Sequence, residues 1–253
     1  TRDKNKINLS EAFQNSIGAD FVKSLNKQGI PCGYMNYSNE ENCGPIFNTI
    51  KRYFRTSVLT LIKEKNFKQR INENVESLLV NNDQEVIGVK TSLRDIYSDY
   101  VILSGGVVGT CDFLLREQYK TTNESNGFLT NLNIGEGVKD HINLRVNVLA
   151  KKNIGSLNEI SNSLFKKTSL ILKHFSGQST LMSGTGATTA AHLDLDKDGV
   201  VDIRIQILQF SETGRAGSDG KLFSSSEPGF SISITPINPE SKGVIELDGN
   251  HTN

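Results

Sequence analysis

Tryptophan is missing from this 253-residue chain, and proline and methionine are scarce, at 5 and 2 residues. No apolar run approaches the roughly 18 to 20 residues that a membrane-spanning helix needs. An excess of charge of either sign is also lacking: 28 basic residues meet 28 acidic ones. That balance argues against a nucleic-acid footprint, which requires positive charge gathered on one face. The densest basic spots, Lys51-Arg52 with Arg55 and Lys166-Lys167, read as solvated helix faces. Cys32, Cys43 and Cys111 are odd in number and lack close metal-ligand spacing. They read as free thiols in a reducing, cytoplasmic compartment, with one Cys32–Cys43 loop disulfide as the alternative. The opening Thr1-Arg2-Asp3-Lys4 is polar and charged, unlike a secretory signal, and the lack of an initial Met fits a fragment or a processed chain. An apolar share of 36% is enough to fill one large core or two ordinary ones.

Asn8-Leu9-Ser10-Glu11 has the spacing of a capping box. It predicts a helix on which Phe13, Ile17, Phe21 and Leu25 form one stripe, ended by Gly29 and Pro31. Residues 32–45, rich in Asn, Gly and Ser, read as a loop. Ile50, Phe54, Val58 and Leu61 restore helical spacing up to about Lys65. Three strands follow, Gln69–Val80, Glu85–Thr91 and Tyr97–Ser104, joined by turn-forming residues into a meander. Within the last, Tyr100-Val101-Ile102-Leu103 is a continuous apolar run, as expected for a strand covered on both faces. It stops at Gly105-Gly106, and Val108–Tyr119 reads as a helix. Beyond Ala150 the pattern is a helix over Ile160–Phe175, a Gly, Ser and Thr-rich stretch to Thr189, and then strands. Val201, Ile203, Ile205 and Ile207 alternate with polar residues, as do Phe230, Ile232 and Ile234, which predicts an antiparallel sheet with one wet face. The fold class is therefore α/β (α+β), with one unit over residues 1–149 and a second over 150–253.

A buried strand that ends in two glycines and enters a helix lets another molecule approach the backbone closely, and the helix N-terminus offers unpaired N–H groups and partial positive charge. A pyrophosphate suits such a place, although any tight strand-to-helix turn can use Gly-Gly. Asp194-Leu195-Asp196-Lys197-Asp198-Gly199 imitates the opening of a calcium loop, but Ile205 stands where the bidentate Glu belongs, so a polar hairpin loop is expected. His174, His192 and His251 share neither a helical face nor metal spacing, and no metal site is expected.

Several segments occur in an order that resembles the glucose-methanol-choline (GMC) family of flavin-dependent oxidoreductases. They are Gly29-Ile30-Pro31, Tyr34-Met35-Asn36, Arg55-Thr56-Ser57, the meander around Val75, and Val101-Ile102-Leu103-Ser104-Gly105-Gly106-Val107. After these come Asn133-Ile134-Gly135-Glu136-Gly137-Val138-Lys139-Asp140-His141, Val201-Asp202-Ile203-Arg204 and Ser241-Lys242-Gly243-Val244-Ile245-Glu246-Leu247. The resemblance implies a part of an FAD-binding Rossmann-like domain followed by part of an antiparallel substrate-domain sheet. It further implies that Val75 meets the adenine of FAD through its backbone and that Ser104, Gly105 and Gly106 pass close to the dinucleotide. Asp140 and His141 would close the connection between the two domains, His141 as a structural anchor.

The chain departs from that pattern in two places: Gly109-Thr110 replaces a Ser-Pro pair, and Gly137 replaces an Asn. The family's Gly-x-Gly-x-x-Gly fingerprint and its C-terminal His with a second His or Asn do not occur here. The expectation is a piece of an enzyme that oxidises the CH–OH group of a small-molecule alcohol, carrying no catalytic residue itself and inactive alone. Its exit strand would lack parallel neighbours and expose apolar edges. A noncatalytic binding or structural protein that keeps the fold is the alternative. A fatty acid photodecarboxylase is less favoured, because Ala187 and Gln206 stand where that subgroup has Cys and Arg, and a neutral Gln supplies no fixed charge.

Overall fold

The computed structural model describes residues 10–11, 16–35, 40–51, 54–55, 72–122, 129, 132–161, 163–178, 180–184, 186–211 and 227–248. In chain order these form β1 (Ser10–Glu11), α1 (Ser16–Lys27), β2 (Asn42–Pro45), β3 (Phe47–Asn48), β4 (Ile50–Lys51), β5 (Phe54–Arg55), β6 (Val75–Val80), β7 (Val86–Thr91) and β8 (Asp95–Tyr97). They continue with α2 (Gly106–Thr122), β9 (Glu136–Val138), β10 (Leu144–Leu149), α3 (Leu157–Ser161), α4 (Leu164–Phe175), β11 (Ala187–Leu193), β12 (Ile203–Leu208), β13 (Gly229–Pro236) and β14 (Gly243–Val244). The mixed α/β class with antiparallel sheets is the expected one. The chain divides into two units, residues 1–64 with 141–238, and residues 65–140 with 239–253.

The first unit is built on a five-stranded antiparallel sheet in the order β10-β13-β12-β11-β2. Its edge strand, β2, lies inside the segment expected to be a loop. Cys43 N donates to Pro31 O at 2.8 Å and Gly33 N to Cys43 O at 2.9 Å, so the chain around Cys32 runs along that edge as well. Asn42-Cys43-Gly44-Pro45 has no alternation and no β-branched residue; its pairing with β11 is imposed by tertiary context. One sheet thus joins residues from both sides of the 149/150 division that composition suggests. Helix α1 bears out the Ile17, Phe21 and Leu25 stripe, but Glu11 lies in β1, so the helix begins later than a capping box at Asn8 predicts; Asn8 and Phe13 lie outside the described residues. The helix expected from Ile50 is instead, at its start, a short antiparallel pair of β4 with β5, so Lys51 is not on a helix face. Val58 and Leu61 lie outside the described residues.

Alternation along β13 is present, but its covered side is the polar one. Ser231 and Ser233 are 0% and 2% exposed, whereas Leu144 and Val146, register neighbours of Ile234 and Ile232, are 58% and 43% exposed. Burying a hydroxyl is tolerable when it is bonded. Ser231 Oγ, with one proton to give, lies 2.6 Å from Asn147 Oδ1 and 2.8 Å from Phe210 O, and Ser233 Oγ donates to Asn143 Oδ1 (3.0 Å). The helix expected over 160–175 is two: α3 ends near residue 161 and Ser163 caps α4, its side chain accepting from Lys166 N at 3.3 Å.

A buried polar knot sits around α3. Asn158 grips the Ser211 backbone at both groups, Nδ2 to O at 2.9 Å and Oδ1 from N at 2.8 Å. Glu159 Oε2 accepts from Ser156 N (2.8 Å), Ser156 Oγ (2.9 Å) and Ile154 N (3.2 Å). Burial alone pushes the Glu159 carboxyl up, but these bonds and the Lys166 ammonium, 3.6 Å away, bring it below its ordinary value. Elsewhere in this unit, Cys32 and Cys43 are free thiols with their sulfurs 3.5 Å apart. Burial, with the Cys32 thiol alongside, pushes Cys43 up to about 12.

The second unit holds the antiparallel meander β6-β7-β8, helix α2, and the pair β9 with β14. Gly135 precedes β9 at φ +85°, and a Cβ there would run into the Ile245 carbonyl, so the close approach of the two segments requires glycine.

Two outcomes follow. A carboxyl whose folded pKa is depressed stabilises the fold above the unfolded value, about 4.3 for Glu, and this is lost as pH falls through the folded value. Glu159→Gln is therefore expected to flatten the acid limb of a Tm-against-pH curve while lowering Tm near neutrality; an unchanged acid limb would refute this. A thiol reagent at pH 8 is expected to label Cys32 and leave Cys43 unlabelled until denaturant is added, read by peptide mass spectrometry.

Candidate cofactor-binding site

The site lies in the second unit and starts from its turns. Asn81 Oδ1 accepts from Asp83 N (3.0 Å) and Glu85 N (2.9 Å), which reverses the chain between β6 and β7. Thr91 Oγ1 donates to Arg94 O at 2.6 Å and accepts from Arg94 N at 3.0 Å, which sets the next turn. Arg94 in turn forks onto Glu73, Nε to Oε1 at 3.1 Å and Nη2 to Oε2 at 3.3 Å, and so ties the start of β6 to that turn. The same pairing holds the Arg94 guanidinium above its ordinary pKa. Val75, the first residue of β6, is positioned by this arrangement.

Past β8 the structure differs from expectation. The strand foreseen over Tyr97–Ser104 is reduced to Asp95–Tyr97, and residues 98–104 carry no ladder. Tyr100 and Ile102 are each 86% exposed, in place of the two-sided cover that the apolar run predicts. No strand among the described residues pairs with this run, so its apolar side chains remain open. Gly106 starts α2 at φ +76°, a conformation that strains any residue with a side chain.

Helix α2 is held by charge. Glu117, 4% exposed, accepts from Leu78 N at 2.8 Å through Oε2, while Lys120 Nζ reaches its Oε1 at 3.0 Å and Glu76 O at 3.3 Å. Gln118 Nε2 donates to Leu129 O and Leu132 O at 2.7 and 2.9 Å, which fixes the chain after the helix.

Between the meander, the 98–105 segment and the start of α2 lies an open cavity of about 500 Å³. Val75, Ser104 and Gly105, three of the four residues singled out from sequence, line it together; Gly106 is the helix residue next to Gly105. Pattern reading did not find the other contributors, including Gly88, Ile96, Gly109, Thr110 and Phe113. Gly109 carries a signal in hindsight, about one helical turn after the Gly105-Gly106 pair. Chemically the cavity offers apolar walls for a flat ring. Beside them is a helix N-terminus with no acidic residue in its first turn and open space where Cβ atoms at Gly106 and Gly109 would stand. Such a donor set fits an aromatic base joined to a phosphate.

Other candidate residues fall elsewhere. The second unit gives way to the first between Asp140 and His141, and His141 Nε2 lies 3.0 Å from Ile237 O, close to where the chain returns at Pro239. The carboxylates of Asp194, Asp196 and Asp202 come within 4.8 Å of one another, but they close their own loop. Asp194 accepts from Lys197 N (2.8 Å) and Gly199 N (2.9 Å), and Asp202 from Leu195 N (2.6 Å), as a polar hairpin requires. Ala187 and Gln206 sit on adjacent strands but are not partners; Ala187 faces Leu208 and Gln206 faces Ala190.

No protein-family model and no curated protein sequence matches the chain. Solved structures do, and at low sequence identity they show that the chain shares a known flavoprotein fold. The particular structures are of formate oxidase. One, from Aspergillus oryzae, concerns the effect of a mutation on FAD modification and aligns with 96% of this chain and 49% of its own at TM-score 0.75 and 16% identity. A second of the same kind gives TM-score 0.72 and 17% identity over 93% of this chain and 48% of its own. A crystal structure of formate oxidase gives 0.73 and 16%, over 94% and 48%. The chain spans about half the length of these proteins.

Removing the Glu117 carboxylate would leave the Leu78 N–H without its partner. Glu117→Ala is expected to cost about 1–3 kcal/mol and to abolish hydrogen-exchange protection at the Leu78 amide. Glu117→Gln, which keeps an acceptor, should cost less. Equal protection in all three forms would contradict the role assigned to this bond.

Proposed function

We propose that this chain is part of a GMC-type flavoprotein oxidoreductase, and that its second-unit cavity receives the adenosine end of FAD. One observation carries the reading: Val75, named from a meander strand, and Ser104 and Gly105, named from a segment 29 residues later, line the same cavity at the head of α2. The GMC oxidoreductase fold supports it. In this arrangement the Val75 backbone edges the adenine, Ser104 and Gly105 run along the ribose, and Gly106 with the first turn of α2 meets the phosphates. Bound FAD would supply the hydride-accepting ring. The whole protein would oxidise a CH–OH group of a small-molecule alcohol, and no residue of this chain is assigned a catalytic role. The departures at Gly109-Thr110 and Gly137 favour a second reading, a binding or structural protein with the same fold, which predicts no nucleotide uptake.

The test is a titration of the 253-residue chain with FAD, ADP and riboflavin, followed by flavin fluorescence and calorimetry. FAD and ADP are expected to bind saturably and compete, while riboflavin, lacking adenosine, does not. Gly109→Ala should stabilise the ligand-free chain by up to about 1 kcal/mol, as alanine does within a helix, and weaken ADP at least tenfold by filling the cradle. A chain that takes up neither ADP nor FAD overturns the proposal.

A further inference from the structure

A cation lacking an acidic partner stands on the first unit's sheet. Arg204 in β12 is flanked in register by His192 on β11 and Thr235 on β13, one polar rung across three strands. It is half-buried. With its amide oxygen turned toward the guanidinium, Gln206 accepts from Nε at 3.2 Å and from Nη2 at 3.0 Å. None of the ion pairs among the described residues includes Arg204. The nearby acids are committed elsewhere: Asp202 to Leu195 N, Asp194 to Lys197 N and Gly199 N, and Glu41 to Lys197 Nζ at 2.8 Å. Burial accordingly lowers the Arg204 pKa, with no neighbouring acid restoring it.

Beside Arg204 is a cavity of about 550 Å³, lined also by His141, Gln206, Val201, Ile237 and Asn238. A half-buried guanidinium is costly without an anion, and its planar fork matches a carboxylate at two points. One positive charge suits a monoanion, and Val201 and Ile237 offer an apolar wall for a short tail. We propose that this cavity binds a small organic monocarboxylate, anchored by Arg204 and flanked by Thr235 and Asn238. All of its residues belong to the first unit, so the proposal stands or falls independently of the flavin reading.

The experiment titrates the 253-residue chain with sodium propionate at constant ionic strength, following the imidazole resonances of His141 and His192. Inorganic phosphate is titrated in parallel. Saturable shifts with propionate are expected, at least tenfold weaker in Arg204→Gln and partly retained in Arg204→Lys. Should Arg204→Gln fail to fold by circular dichroism, Asn238→Trp decides the matter, since this exposed position lies outside β12 and β13 at the cavity's rim, and a side chain filling the mouth should weaken propionate at least tenfold. No saturable shift in the parent chain, or undiminished binding in folded Arg204→Gln or in Asn238→Trp, overturns the site. Phosphate binding as tightly as propionate overturns its assignment to carboxylates.

Discussion

A buried carboxylate holds helix α2 against the meander, and the cavity depends on it. Among the described residues β6 is an edge strand, and no described strand meets the outward N–H of Leu78. Glu117 fills that role from the helix, and Lys120 secures the same carboxylate while reaching the backbone of β6. A part-buried hydrogen bond from a backbone N–H to a carboxylate is among the stronger kinds that the unit could use there. With the helix fixed at this point, Gly105 and Gly109 come to line the same cavity as Val75.

Much of this arrangement was legible beforehand, and the misses have physical causes. β6 and β7, the helix after the glycines, and β12 and β13 all carry periodicity strong enough to read directly. The second crossing from one unit to the other falls at Asp140 and His141, where the family-like segment ends. What escaped was decided by partners distant in sequence. β2 carries no pattern of its own and is a strand because β11 accepts it. Ile50 and Phe54 have helical spacing, yet they lie on facing short strands. Tyr100 to Leu103 is apolar enough for a covered strand, but no described strand lies beside it. In the site, Val75, Ser104 and Gly105 came from an ordered set of motifs, whereas Ile96 and Phe113 are contributed by folding alone.

The first unit uses polarity in an uncommon way. On β13 the buried Ser231 and Ser233 bond to Asn147, Asn143 and the Phe210 carbonyl, while isoleucines on the other side of the strand remain half open. A rule that assigns the apolar face to the interior fails here, because satisfied hydroxyls can be buried at little net cost. That polar side also leaves Arg204 room to stand beside a cavity.

The knot around α3 has a bearing on how this protein can change over time. Asn158 holds Ser211, Leu157 N donates to Gln209 O at 2.8 Å, Ala150 N to Pro228 O at 2.8 Å, and Gly229 N meets Ser156 Oγ at 3.5 Å. The chain leaving β12 and the chain entering β13 are therefore clamped to the same short stretch before and within α3. A change at Ser156 or Asn158 would loosen the end of β12 and the start of β13 together, so this short stretch limits how far either strand can vary on its own.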